Sequence, residues 1–316
     1  MRMLLLAVAI IAATMAPRLA WAQTHGENWT RCKDNDAEPD LRISACTAII
    51  QSGQETAENL AAAFIGRCAG RYDKREYDAA IEDCDEALKL DPSNAGAFIE
   101  RGLAFYGKGQ LDRAIQDYDQ AISLDPKSVS AFHNRANAYY SKGQYDRAIQ
   151  DYDQAIGLYP TLARSINGRG FADFSAGRFG AAARDFAQSL AYTQPRGVLP
   201  YVVLWLHLAR ARDGQEDTQE FMRNAARLDL RAWPGPVVAS YLKQMTAQQV
   251  MEAAQSGDET MQQERGCEAS FYLGEDAVLR HKTAEALRLL RQAHETCPVR
   301  FVEYEAAAAE LKRLGE

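Results

Sequence analysis

Gly107–Pro126 reads GKGQLDRAIQDYDQAISLDP, and Ser141–Pro160 reads SKGQYDRAIQDYDQAIGLYP. The two stretches start 34 residues apart and agree at 16 of 20 positions. The frame extends in both directions. Ala80, Ala114, Ala148 and Ala182 recur at the same interval, as do the small residues Gly102, Ala136 and Gly170. Pro92, Pro126 and Pro160 close successive units, and Pro195 falls one residue late. Each unit holds two runs of helical length, such as Ala97–Tyr106 and Asp112–Ser123, parted by a glycine-rich link such as Gly107-Lys108-Gly109. Proline follows the second run, where it ends a helix without removing an internal hydrogen bond. Small residues on facing sides let antiparallel helices approach, and Tyr118 and Tyr152 fill the space beside them. One such hairpin cannot bury its apolar face alone, so neighbours must stack.

With the proline set at unit position 32, Arg67, Arg101, Arg135 and Arg169 fall at position 7, and Asp83, Asp117, Asp151 and Asp185 at position 23. Facing positions of an antiparallel helical hairpin sum to about 30–32 in this frame, so each arginine opposes an aspartate. A row of arginines also suits an acidic ligand, but a half-buried guanidinium needs a planar carboxylate partner, and scaffold pairing is the stronger reading. Setting Pro298 at position 32 discloses a fifth unit at the C-terminus, with Gly274, Ala286 and Ala293 at small-residue positions. There the Arg–Asp pair is replaced on both sides, by Leu273 and Leu289.

The same arithmetic sorts the six cysteines. Cys68 and Cys84 occupy positions 8 and 24 of the first unit, Cys267 and Cys297 positions 1 and 31 of the last, and both sums are 32. Each pair should lie across its own hairpin, and elimination leaves Cys32 with Cys46, clasping the N-terminal segment onto a helix around Leu41–Ser52. Zinc would want CxxC pairs or Cys/His clusters, and a reactive dithiol would want a CxxC-like arrangement; neither is present.

A 34-residue period with small, aromatic and proline landmarks resembles the tetratricopeptide-repeat (TPR) family over residues 61–195. The fold expected is all-α: a TPR superhelical solenoid with an irregular helical insert, a C-terminal TPR-like hairpin and a capping helix. The expected divisions are a signal peptide at 1–22, an N-terminal helical segment at 23–58, four repeats at 59–195, the insert at 196–266 and the terminal hairpin with its cap at 267–316. In the insert, Tyr201–Arg212 and Thr218–Leu228 read as partner helices, Ala232–Pro236 as a rigid break, and Thr246 to Gln249 as a capping box. The Ala- and Glu-rich run Phe301–Leu314 reads as a solvating cap.

The resemblance also implies a ligand groove, since unit positions 2, 5, 9, 12 and 13 line the concave face of TPR proteins. Position 12 is an aromatic row, Tyr72, Tyr106, Tyr140 and Phe174, which fits either that groove or packing between repeats. The third unit adds His133 and Asn137, and the fourth Arg164 and Asn167. An extended peptide would find amide partners in the asparagines and apolar contact on the rings.

A narrower resemblance covers the C-terminal half. Trp205 with Leu206 and Leu208, Trp233-Pro234, Phe271-Tyr272-Leu273-Gly274, and Pro298 followed by Phe301-Val302-Glu303-Tyr304 resemble NlpI-type bacterial envelope TPR lipoproteins. That resemblance implies an adaptor, often dimeric, which brings peptidoglycan hydrolases and a processing protease together. The sequence departs from the family in lacking a lipobox cysteine.

The N-terminus accords with an envelope location. Met1-Arg2-Met3, an apolar run from Leu4 to Met15, and Ala20-Trp21-Ala22 have the three-part form of a cleaved secretory signal, so a periplasmic product is expected. An even cysteine number suits an oxidising compartment. With 36 basic against 43 acidic residues the chain carries −7, a poor match to nucleic acid or to anionic membranes.

Enzyme signatures are missing from the sequence. The five histidines form no HExxH, and neither a GxSxG elbow nor a GxxxxGK[ST] loop occurs. Acidic pairs such as Asp117/Asp119 repeat with the solenoid, unlike a glycosidase pair. A non-enzymatic scaffold that binds proteins or peptides, with neither cofactor nor metal, is the leading expectation. The alternative is a structural accessory subunit of a polysaccharide-export or secretion assembly, acting through its stacked edges.

Overall fold

The computed structural model describes residues 24–192 and 199–316, so the signal-like segment 1–22 and Pro195 lie outside the described residues. All regular structure among the described residues is helical. The chain divides into two compact units, Met1–Pro126 and Lys127–Glu316.

In the first unit, α1 (residues 24–33) and α2 (Pro39–Gln51) precede two hairpins, α3 (Ala57–Asp73) with α4 (Tyr77–Leu90) and α5 (Ala95–Gly107) with α6 (Leu111–Leu124). The second unit opens with α7 (Val129–Tyr140) and α8 (Tyr145–Leu158), then α9 (Ala163–Ser175) and α10 (Phe179–Tyr192). Then come α11 (Leu199–Arg212) and three shorter helices, α12 (Thr218–Ala225), α13 (Gly235–Tyr241) and α14 (Ala247–Ala254). The unit ends with the hairpin of α15 (Glu259–Leu279) and α16 (Thr283–Thr296), and then α17 (Val302–Arg313).

Local chemistry sets the hairpin geometry. One or two residues past each first helix's cap the chain takes a left-handed conformation, with φ of 72°, 67° and 77° at Gly109, Gly143 and Gly177. Glycine adopts it without steric cost. Arg75 and His281 hold the equivalent place in the first and fifth hairpins at φ 62° and 57°. Side chains of Thr56, Asn94 and Ser128 cap α3, α5 and α7 by accepting from backbone N–H groups three residues on. Close approach explains the small residues: a Cβ on Gly102 would sit 2.6 Å from the Tyr118 ring, and one on Gly170 2.9 Å from Phe186.

The Arg–Asp pairs form as the spacing predicts. Arg67, Arg101, Arg135 and Arg169 each grip Asp83, Asp117, Asp151 and Asp185 through two parallel N–H···O bonds of 2.6–2.9 Å. A second set was not anticipated. Arg101 and Arg169 extend their remaining Nη to Asp85 and Asp153 of the preceding hairpin, each at 2.6 Å. One guanidinium therefore ties a hairpin shut and binds it to its neighbour. In the fifth hairpin Leu273 and Leu289 are buried instead, and Gly274 lies against Leu290.

Cystines join Cys32 to Cys46, Cys68 to Cys84 and Cys267 to Cys297. Within the second unit, Trp205 of α11 is fully buried among Phe171, Phe174, Phe186, Phe271 and Tyr272, with ring centroids 5.0–6.1 Å away. It welds the repeats to the terminal hairpin.

Three expectations need correction. The helix read as Thr218–Leu228 stops at Ala225. The first helix of the fifth hairpin starts at Glu259, ahead of residue 267, because Asp258 caps it by accepting from Met261 N–H. Most consequentially, α17 is no solvating cap: Glu303, Glu305, Ala306, Ala307, Ala309, Glu310 and Leu311 are all buried. The break at Trp233-Pro234 ends where α13 begins, and the capping box of Thr246 and Gln249 opens α14.

Candidate functional site

Helical periodicity puts His133, Asn137 and Tyr140 on one face of α7, and Asn167 and Phe174 on the matching face of α9. A hydrogen-bonded chain crosses three helices there. His133 Nδ1 lies 3.0 Å from the Ser165 hydroxyl, and the Asn137 amide nitrogen reaches His133 Nε2 at 3.3 Å. Tyr152 in turn donates its hydroxyl to Asn137 Oδ1 at 2.5 Å. Burial, assisted by the nearby charge of Arg164, pushes the imidazole down to about 4. The ring is thus neutral at pH 7, with one nitrogen occupied by an amide donor and the other by a hydroxyl. Such a histidine holds a surface in shape; it has no free nitrogen with which to take a substrate proton.

Arg164 remains exposed at the start of α9. Asn167 is only 8% exposed, and its side-chain oxygen has no hydrogen-bond partner among the described residues.

The aromatic row divides. Tyr72 and Tyr106, in the first unit, stay partly exposed, with the Tyr72 ring 5.8 Å from Tyr77. Phe174 is fully buried, its centroid 5.0 Å from both Phe179 and Trp205, so it belongs to the core and cannot line an open groove. Tyr140 is also buried; its hydroxyl meets Ser175 at 3.2 Å and the backbone carbonyl of Val302 at 3.1 Å.

That last bond introduces the element that sequence reasoning missed. Helix α17 lies over the C-terminal ends of α7 and α9. Arg313 donates to the Ser175 carbonyl at 2.8 Å and stacks over Phe179. Glu310 is held by Arg313 at 2.5 Å and by Arg212 at 2.8 Å, and Arg212 also binds Glu275 at 2.9 Å. Burial, then the charge of Glu310, raises Glu275 to about 7. Glu303 accepts the Tyr272 hydroxyl at 3.0 Å and is raised to about 8 by burial and the neighbouring Glu268. Burial alone lifts Glu305 to about 7. The alanines of α17 were the available signal, since small residues let a helix seat closely on others, but their contacts lie far away in the chain.

Comparison with known proteins agrees with this architecture. A model of the TPR repeat matches residues 71–109 and 102–143, and a tetratricopeptide-repeat model matches 129–162. No curated protein matches the chain. Among solved structures, Pseudomonas aeruginosa PilF is 17% identical, with 81% of this chain and 100% of that one covered at a TM-score of 0.51. The C-terminal part of a TPR repeat-containing protein from Cytophaga hutchinsonii is 16% identical, with 86% and 95% covered and a TM-score of 0.51. YrrB, described as a TPR protein with an unusual peptide-binding site, is 17% identical, with 64% and 100% covered and a TM-score of 0.48. None of these bears on the narrower likeness of the C-terminal half to NlpI-type proteins. With the sequence signature over residues 71–162 and the antiparallel hairpins that follow from it, the chain carries tetratricopeptide repeats.

Proposed function

We propose that the protein is a periplasmic scaffold that holds a polypeptide partner against the face of α7 and α9 bearing His133, Asn137, Arg164 and Asn167. The observation that carries the reading is exposed Arg164 beside the partly exposed, hydrogen-bonded pair His133 and Asn137. Its guanidinium favours an acidic residue in the partner. The neutral histidine and its hydrogen-bonded neighbours make the surface rigid in advance, which reduces the ordering cost of binding. Export is supported by the signal-like residues 1–22 and by three cystines, which persist in oxidising compartments. Cell-envelope enzymes are the partner class implied by the likeness of the C-terminal half to NlpI-type proteins.

Crosslinking in periplasm, with the intact protein and with an Arg164→Glu/Asn167→Ala variant, tests the reading. Loss of specific partners from the variant is expected; an unchanged partner list would refute it. A second reading, a structural subunit joined through its edges, rests on the exposed apolar residues Leu90, Leu124, Leu158 and Tyr192, which recur every 34 residues. Replacing Leu158 and Tyr192 with serine would then remove export or secretion components and spare cell-wall enzymes.

A further inference from the structure

In the second unit α11, α12, the end of α13 and the end of α15 line a separate open cavity of about 380 Å³. Its polar wall is asymmetric. His207 directs Nδ1 at both oxygens of Asp217, at 3.0 and 2.9 Å, and Asp217 is only 8% exposed. A buried carboxylate on Nδ1 fixes the proton there, so the imidazole serves as a held wall of the cavity and not as an anion donor. The ring is clamped, stacked on Phe221 at 4.2 Å and edge-on to Tyr241 at 5.3 Å. The Tyr241 hydroxyl is already committed to the Tyr272 carbonyl at 2.7 Å.

Two basic residues complete the wall. Arg280 spends its charge on Asp276, with N···O distances of 3.0 Å. Lys243 lines the cavity, and a second one of about 330 Å³ beside it, with no ion-pair partner among the described residues. Its backbone stands in the left-handed region at φ 61°. Phe221, Met222 and Leu279 supply apolar lining, with Thr218 and Gln244 as neutral polar neighbours. Asp276, the carboxylate of the lining, is therefore neutralised by Arg280, and the Lys243 cation is left over beside the apolar side chains.

The geometry points to a binding site for an apolar group ending in a carboxylate, with Lys243 on the acid and Phe221, Met222 and Leu279 around the apolar body. A cavity of this size lies at the lower end of the range for small-ligand pockets, enough for one or two residues of a polypeptide C-terminus or a short fatty acid. The site uses no residue of the α7–α9 face, so it stands whether or not that face binds a peptide.

Calorimetric titration of the full chain with N-acetyl-Leu-Phe, its C-terminal amide and octanoate is the test. The acid should bind at least about tenfold more tightly than the amide, roughly 1.4 kcal/mol. Lys243→Gln should remove that preference and Lys243→Glu should abolish binding of the acid, with unfolding midpoints unchanged because the side chain is exposed. Arg164→Glu should leave all three titrations unaltered. A tighter peptide assigns the source as a polypeptide terminus, and a tighter octanoate assigns a free acid. Equal binding of acid and amide, or no binding of either acid, overturns the site.

Discussion

The hairpins α3–α6 and α7–α10 share one repeat pattern, yet their position-12 aromatics have different fates. In the first unit Tyr72 and Tyr106 stay partly exposed. In the second, Tyr140 and Phe174 are buried, the one bonded to Val302 of α17 and the other packed on Trp205 of α11. The arginine clasp, by contrast, is the same in both. A repeat therefore fixes its internal contacts, while the use of its outer positions depends on which later elements cover them.

The sharpest way to break this comparison is truncation at position 12. Phe174→Ala should cost about 3–5 kcal/mol, the usual range for deleting a buried aromatic ring, while Tyr106→Ala should cost roughly 1 kcal/mol. Urea-unfolding midpoints decide it; equal shifts would mean that the two aromatics do the same job.

The clasp should respond alike in both units. Asp117→Ala and Asp185→Ala each leave a half-buried guanidinium short of its partner and should lose about 2–4 kcal/mol in chemical denaturation. An Arg169→Leu/Asp185→Leu pair, copying Leu273 and Leu289 of the fifth hairpin, should recover most of the loss. A double variant as unstable as the single one would show that the fifth hairpin is no guide to the others.

A third prediction concerns α17 and pH. Glu303, raised to about 8 in the folded chain, holds a proton there that the unfolded chain releases near 4.5. Between those values the folded state binds more protons, so stability falls as pH rises through that window. His133 acts oppositely: its folded value of about 4 lies below the ordinary 6.5, so its contribution is present above 6.5 and lost as pH falls toward 4. Glu303→Gln should therefore flatten the fall of a melting-temperature profile between about pH 4.5 and 8 by several degrees and leave the profile below about 4.5 unchanged. A parallel profile would place that sensitivity elsewhere, with Glu275 and Glu305 the next residues to replace.

The smallest structural effect is expected from Arg164→Glu. The residue is exposed, so stability should change by less than about 0.5 kcal/mol. Partner capture should nonetheless fall, which separates binding from folding at this face.

How much of the site was legible follows from chain separation. The spacing named His133, Asn137 and Asn167, because unit position dictates helix face. It did not disclose that Tyr152 and Ser165 wire His133 and Asn137 together, since side-chain rotamers decide that. Nor did it separate Tyr140 and Phe174 from Tyr72 and Tyr106, because all four satisfy the same pattern.

The sequence by itself determined the repeat, the four Arg–Asp clasps and the pairing of the cysteines. These contacts lie within hairpins, between residues 14 to 30 apart, where turn length and helical rise leave little freedom. Only the tertiary structure decided where α17 goes. Its bonds join Tyr140 to Val302 and Ser175 to Arg313, separations of 162 and 138 residues that no local period encodes. The physical reason is burial: alanines that can seat closely, and glutamates that find arginine and tyrosine partners, draw that helix onto α7 and α9 and cover Tyr140, a ring that the pattern alone would leave for a ligand.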